Sequence, residues 1–463
     1  MLQLSKSVRS VEYLYNTDHP VVSGTGGRTH GPWYLPNRRI PTYTGIASPE
    51  RRSVLRAMCV SVENLTVERL TSLNGDHALV TAWNILAGDN PFLGWEWLEC
   101  WWRHYGSSQP DGRRSLLLLA VRDSSGRMVG LAPWYLDYSL LDGWAIRFLG
   151  SGEVCSEYPT VLCESGYQDA VVEVLSRWLL VESPIHWNVL DFSAVAVDDP
   201  FLASFVGQLE QRGCKVLREA AASCWRVELP GCWEEYLRSI SKSRRQKTRQ
   251  LHRRLLESGA ALVHPVKTEA ELETGFSILR DLHQSRRNSL GEPGCFVSPR
   301  FVAFHKETCR RLLGNAQLRL NWVSIGDVPA AVEYCLEAGD TVFLYQSGIA
   351  PEMADKRPGW LSLTNSIRTA ISDGYRYFDF LRGDEPHKAS LGAKPVAMVD
   401  IRVSHHHMPA RIRHMVRRGT FLAKAAMNSV RYTSGGFPGG KLSDPSRPPA
   451  GRTRGGESHP RPV

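Results

Sequence analysis

The alternation of apolar and polar positions is clearest between Thr341 and Lys388. β-Branched and aromatic residues crowd residues 341–350, which predicts a strand. Residues 351–358 break any period and set Lys356 beside Arg357. Apolar positions return at Leu361, Leu363, Ile367 and Ile371, predicting a helix that opens at Gly359 and stops at Asp373-Gly374. Residues 377–381 read as a second strand, which delivers the charged loop from Arg382 to Lys388. The first turn of such a helix has unpartnered amides and a partial positive charge. A glycine lets a ligand approach, and two adjacent cations add to the field, so the junction suits a diphosphate. An ordinary crossover with a solvated loop would carry the same pattern.

Residues 1–75 read as an irregular extension, broken by Gly24-Thr25-Gly26-Gly27, Pro32, Pro36 and Pro41. Residues 76–230 form a first lobe. It has an aromatic-rich helix at 91–102, a hairpin turning at Ser124-Ser125-Gly126, strands at 145–149, 187–192 and 224–229, and helices at 168–181 and 201–212. Residues 231–258 read as one connecting helix. A second lobe, residues 259–405, has helices at 269–288 and 299–313, a hairpin turning at Gly326-Asp327, the unit described above and a last strand at 395–403. Residues 117–133 read like 318–334, and the segment ending Leu190-Asp191-Phe192 reads like Phe378-Asp379-Phe380. The chain is therefore expected to duplicate one α/β unit. The predicted fold class is α/β (α+β): two tandem lobes, each a mixed sheet flanked by helices, joined by a long basic helix.

Charge changes this picture little. The net charge is +9, and residues 406–463 hold eleven Lys or Arg against Asp444 and Glu457, so the whole excess sits in a Gly/Pro/Arg-rich tail. Such a tail is expected to be disordered and to touch anionic membrane or RNA weakly. Arg238, Lys242, Arg244, Arg245, Lys247, Arg249, Arg253 and Arg254 make the connecting helix an anion-attracting ridge. No aromatic residues interleave with them, so no specific nucleic acid is expected. The ten cysteines form no C-x-x-C pair, which argues against a zinc ribbon and a redox dithiol. His405-His406-His407 on an extended segment cannot all face one ion, so no metal is expected. No apolar run approaches the ~20 residues of a membrane span.

Arg357-Pro358-Gly359, and Tyr377-Phe378-Asp379-Phe380-Leu381-Arg382-Gly383-Asp384-Glu385-Pro386 with Lys388, resemble the acetyltransferases associated with cellulose biosynthesis, the CelD-like family. These are two-lobed members of the GNAT superfamily, related to the Fem peptidoglycan aminoacyl transferases. The resemblance spans about residues 79–404, with Met58 nearer the family's usual start. His387 stands where the family usually has tyrosine. The resemblance implies an acyltransferase that uses acyl-CoA (acetyl-CoA) as co-substrate, with no metal and no covalent intermediate. The donor would lie where strands 341–350 and 377–381 splay apart. Gln346, Ser347, Gly348, Lys356, Arg357, Gly359, Trp360 and Lys388 would hold it. Glu333, Tyr345 and Asp384 are the candidate proton-transfer groups. Glu157, Tyr158, His283 and Arg286 are the candidate contacts of a small-molecule or glycan-precursor acceptor, in a cytoplasmic enzyme with one active site in the second lobe. Fem-like transfer from aminoacyl-tRNA and a catalytically degenerate binding or scaffold protein are the alternatives.

Overall fold

The computed structural model describes residues 62–106, 113–407 and Ala410. The basic tail beyond that point and residues 1–61 of the extension lie outside the described residues. The first half contains β1 (Thr66–Leu70), α1 (His77–Ala87), α2 (Trp95–Trp101), β2 (Arg114–Arg122), β3 (Met128–Ser139), β4 (Gly143–Phe148) and β5 (Leu162–Cys163). It continues through α3 (Gln168–Arg177), β6 (Val189–Ala196), α4 (Pro200–Gln211) and β7 (Lys215–Glu228). Two short helices follow, α5 (Trp233–Ser239) and α6 (Lys242–Leu251). The second half contains β8 (Ala261–Pro265), α7 (Glu269–Ser289), α8 (Pro299–Gly314), β9 (Leu318–Ile325), β10 (Val328–Ala338) and β11 (Thr341–Ile349). It ends with α9 (Pro358–Ser372), β12 (Tyr377–Arg382), α10 (Pro386–Ser390) and β13 (Lys394–Ser404).

These strands make one continuous mixed sheet in the order β1-β2-β3-β4-β6-β13-β7-β12-β11-β10-β9-β8, with β5 on β3. Both halves lay down four antiparallel strands and then a parallel fifth, β6 on β4 and β12 on β11. The repeat expected from the sequence is visible in this order. The closing strands are exchanged. β7 leaves its own half to pair with β12, β13 pairs with β6, and the two pair with each other at the centre. The strands expected to close their own lobes therefore close each other's.

Two expectations are corrected. The long basic helix is two helices, because the chain is extended at Ile240 (ψ 163°) and the Ser241 hydroxyl accepts from the Arg244 amide to start α6. Ile240 is buried where the chain bends. Part of the supposed extension, Thr66–Leu70, is an edge strand on β2. The dense aromatics near α2 form core: Phe92, Trp97 and Trp101 are fully buried, and Trp97 meets Phe304 of α8 edge-on at 5.2 Å. No helix among the described residues is long and apolar enough to cross a membrane.

Candidate active site

β11 and β12 stay paired only through Thr341, Val342 and Phe343, opposite Tyr377, Phe378 and Asp379. Beyond that point they part, and Asp379 fixes the geometry. Its Oδ1 accepts from the Leu381 amide at 2.7 Å, holding Leu381 at φ 56°. Its Oδ2 accepts from Tyr158 Oη at 2.8 Å and from Arg226 Nε at 2.9 Å. β12 is thus bent toward β7 and away from β11. Burial raises the pKa of Asp379, and the Arg226 guanidinium opposes that rise. In the first half, β4 and β6 pair at Ala145 and Ile146 opposite Val189 and Leu190, and the Asp191 that follows is bound by Arg147 and Arg402. The α3 N-terminus there offers Asp169 in its first turn and no cation.

A cavity of about 450 Å³ opens beside the start of α9. Arg357 forms the N-cap of α9 in the left-handed region (φ 52°), which costs a non-glycine residue about 1–2 kcal/mol, and Pro358 occupies the first helical position. Arg357, Gly359 and Trp360 line the cavity from this side. α6 and the turn after it bring Arg244, Lys247 and Arg254, and α7 brings Arg286. Five cations therefore face a helix N-terminus, while Asp355 and Glu385 are the acids in the lining. α6 and the turn after it are fastened by two side-chain bonds to α9. Trp360 Nε1 donates to Thr248 Oγ1 at 2.9 Å, and His252 Nε2 lies 2.9 Å from Thr364 Oγ1. Thr364 Oγ1 donates to the Trp360 carbonyl, so the imidazole supplies the proton of that contact. Burial lowers the His252 pKa to about 4, so it is neutral.

The expected donor ligands divide. Arg357, Gly359 and Trp360 come together at the cavity; Lys356, on the turn before them, is not in its lining. The Trp360 ring packs under Arg244, whose guanidinium carbon lies 5.0 Å from its centroid. Lys388 is a correction. Its Nζ is buried, donates to the carbonyls of Leu381, Arg382 and Gly383 at 2.9–3.1 Å, and pairs with Glu385 at 2.9 Å. It clamps the turn after β12 and is not directed at a ligand. Gly348 is also reassigned, since a Cβ there would lie 2.7 Å from the His283 amide nitrogen. The glycine lets α7 cross β11. Ser347 is buried opposite Glu333.

Glu333 does not reach the cavity. It is buried beneath α9, where the Ser366 hydroxyl donates to Oε2. Desolvation raises its pKa to about 7, with serine hydroxyls opposing. Its raised value is thus a consequence of packing. Asp384 is exposed and accepts from Trp225 Nε1 at 3.0 Å, away from the cavity lining.

On the sheet face carrying α7 and α8, a bulge skips Tyr345 in the β10–β11 ladder, since Tyr334 pairs with Gln346 and Cys335 with Leu344. Tyr345 and Gln346 consequently both lie toward α7 and α8. Tyr345 Oη lies 2.6 Å from the Val154 carbonyl and 3.1 Å from His305 Nε2, and burial holds its pKa well above the usual phenol range. Cys295 Sγ there accepts from Gln346 Nε2 at 3.4 Å and lies 3.6 Å from His283 Nε2. Of the expected acceptor contacts, only His283 stands on this face beside Gln346. Arg286 lines the cavity at the start of α9 instead. Glu157 accepts two guanidinium bonds from Arg382, and Tyr158 holds Asp379, so both join the two halves. Among the described residues, Cys100, His104 and Glu307 place ligand atoms within 4.8 Å of one another. Arg103 and Arg311 already pair with Glu307, which makes that trio a poor cation site.

Residues 242–389 match the family described as acetyltransferase (GNAT) domain. That span runs from α6 into α10, and so holds the parted strands and every residue of the cavity lining except Ser390. That segment has the fold of a GNAT domain. No curated protein matches the chain. Among solved structures, FemX is similar at 11% identity and TM-score 0.53, covering 75% of this chain and 99% of that one. The C-terminal domain of a putative lysylphosphatidylglycerol synthetase from Agrobacterium fabrum is similar at 12% identity and TM-score 0.42, covering 74% and 96%. A tandem GNAT protein from the clavulanic acid biosynthesis pathway is similar at 12% identity and TM-score 0.39, covering 74% and 99%. The sequence signals that could have found the remaining cavity residues are the spacings of Arg244, Lys247 and Arg254, which recur every three and seven residues along one helical face.

Proposed function

We propose that this chain transfers an acyl group, acetyl as the simplest case, from acyl-CoA to an amine or hydroxyl of a cell-envelope or polysaccharide-related acceptor in the cytoplasm. One observation carries the reading: five cations ring the start of α9, beside the point where β11 and β12 separate. A diphosphate at that helix start leaves the flexible arm of the donor pointing into the gap, where unpaired strand amides are available to the thioester. The motif residues from Tyr377 to Pro386 support the envelope or polysaccharide assignment, since they resemble the cellulose-associated acetyltransferases. Fem-like transfer from aminoacyl-tRNA is the second reading, and the exposed cations Lys242, Lys247 and Arg253 favour it.

Calorimetric titration of the purified chain with acetyl-CoA, and separately with charged and uncharged tRNA, decides between them. Saturable acetyl-CoA binding that weakens at least tenfold in Arg357→Ala supports the first reading. Saturable charged-tRNA binding without acetyl-CoA binding replaces it with the second.

A further inference from the structure

The turn between β3 and β4 holds its acid inward and its leucines outward. Asp142 is buried; its amide donates to Ser139 Oγ at 2.9 Å, and its Oδ1 accepts from Arg402 Nη2 at 2.6 Å. Leu140 and Leu141 beside it are 84% and 75% exposed. With Val181, at 76%, they are the most exposed large apolar side chains among the described residues. Hydrogen bonds gather all three at one edge of the sheet. The Trp144 amide donates to Asn188 Oδ1 and its carbonyl accepts from the Asn188 amide, both at 2.8 Å. Trp187 Nε1 donates to the Leu179 carbonyl at 3.1 Å, which sets residues 178–182 beside the start of β6. Behind the leucines, Tyr138 and Trp144 meet edge-on at 5.2 Å, and the Arg113 guanidinium carbon lies 5.7 Å from the Tyr138 ring centroid.

Charge at this edge is positive. Arg113 and Lys215 are exposed, whereas the exposed acids Glu182 and Glu210 pair with Arg177 and Arg218. β13 also ends here, with Ser404 opposite Val189 on one side and Lys215 on the other. The chain stays tied to the edge as far as Ala410, which is buried and whose amide donates to His407 Nδ1 at 3.3 Å. It continues into residues 411–431, which hold six Lys or Arg and no acid, with Ile412, Met415, Val416, Phe421 and Leu422 among them. Each of these features suits one layer of a lipid interface. Leucine side chains fit the acyl boundary, phenol and indole rings the headgroup level, and cations the lipid phosphates. A nucleic acid would engage the cations but gives the leucines nothing apolar to bury against.

We propose that this edge docks the chain on an anionic bilayer, with Leu140, Leu141 and Val181 entering the interface and the cations of residues 411–431 binding the lipid phosphates. The inference goes beyond the acyl-transfer reading and does not depend on it. Both signals are needed. A few apolar side chains give only marginal, reversible attachment, and exposed cations alone are released by salt. The turn is ready for insertion as it stands. Arg402 and Ser139 fix Asp142 on the protein side, so no carboxylate meets the anionic headgroups when the leucines enter. The docked chain lies on the surface and does not span it.

Flotation of the full chain tests the proposal, with vesicles of phosphatidylcholine alone and of equimolar phosphatidylcholine and phosphatidylglycerol. Wild type is expected to float with the anionic vesicles and to be left behind by phosphatidylcholine alone. Leu140→Ser/Leu141→Ser, at exposed positions, is expected to keep the wild-type melting temperature and to lose about tenfold or more in binding to the anionic vesicles. Arg417→Glu/Arg418→Glu is expected to lose at least about tenfold and to bind with a shallower dependence on salt. Wild type that floats with neither vesicle overturns the proposal. Wild-type binding by the double serine variant also overturns it, because the tail would then act without the turn. Tighter binding to polyuridylate than to the anionic vesicles gives the cations to RNA and overturns it. A dimer that the double serine variant loses, without flotation of wild type, gives the leucines to a second copy of the chain and overturns it as well.

Discussion

Replacing Lys388 by methionine separates a structural clamp from a ligand contact. The side chains of Lys388 and Glu385 are 5% and 2% exposed, so water screens their pair little. Methionine keeps most of the buried stem but removes every donor. The carbonyls of Leu381, Arg382 and Gly383 then lose a partner in a turn that already holds Leu381 and Gly383 at positive φ, and Glu385 is left as a buried carboxyl without its cation. Breaking a buried pair in this way costs roughly 3–5 kcal/mol. That is a large share of the ~5–15 kcal/mol that typically separates folded from unfolded chains. Urea unfolding of wild type, Lys388→Met and the double variant Lys388→Met/Glu385→Gln measures it. The single variant should fall by that amount, and the double should recover roughly 1–3 kcal/mol because the uncompensated carboxylate is gone. Stability within about 0.5 kcal/mol of wild type, together with a tenfold loss of acetyl-CoA affinity, would refute the clamp and return Lys388 to the donor phosphates.

The pH dependence of stability should carry the signature of Glu333. Its folded pKa of about 7 lies above the ordinary 4.5, so its contribution is complete below pH 4.5 and is lost as pH rises toward and past 7. That gap corresponds to roughly 3 kcal/mol as an upper bound. Unfolding curves at pH 5 and pH 8 should show a smaller drop for Glu333→Gln than for wild type, and equal drops would contradict the assignment. Gly348→Val should destabilise the fold by about 1–3 kcal/mol, seen as a lowered melting temperature, because the new side chain meets α7 backbone. Arg286→Ala and Arg254→Ala should each weaken acetyl-CoA binding with little change in melting temperature. Raising the salt concentration should weaken binding to wild type more than to either variant.

The crossover from β11 to β12 was legible because its hydrophobic period changes from two to helical and back, with Asp373-Gly374 marking the stop. The strand exchange was not. β7 and β13 read as plausible closing strands of their own halves, and partner choice is a tertiary property that local pattern does not encode. β1 was missed because three of its five residues are exposed, which leaves a thin apolar signal at an edge. The break at Ile240 was hidden by the continuous run of cations, although Ser241 is an ordinary N-cap residue. The motif lysine was legible as a special residue, but its partners are backbone carbonyls five to seven positions earlier, and no sequence pattern distinguishes those from a phosphate. Cys295 and His283 are twelve positions apart on a turn and a helix, and Gln346 comes from a distant strand. The bulge at Tyr345 leaves Gln346 on the face where His283 and Cys295 meet.

Hydrogen–deuterium exchange with and without saturating acetyl-CoA tests the central claim most directly, because it maps the donor seat without presuming the acceptor. The account predicts protection concentrated in residues 244–254 and 349–361, where the cationic ring and the α9 start face each other. Protection falling instead in residues 149–169 of the first half, or no change at all under saturating ligand, would contradict it.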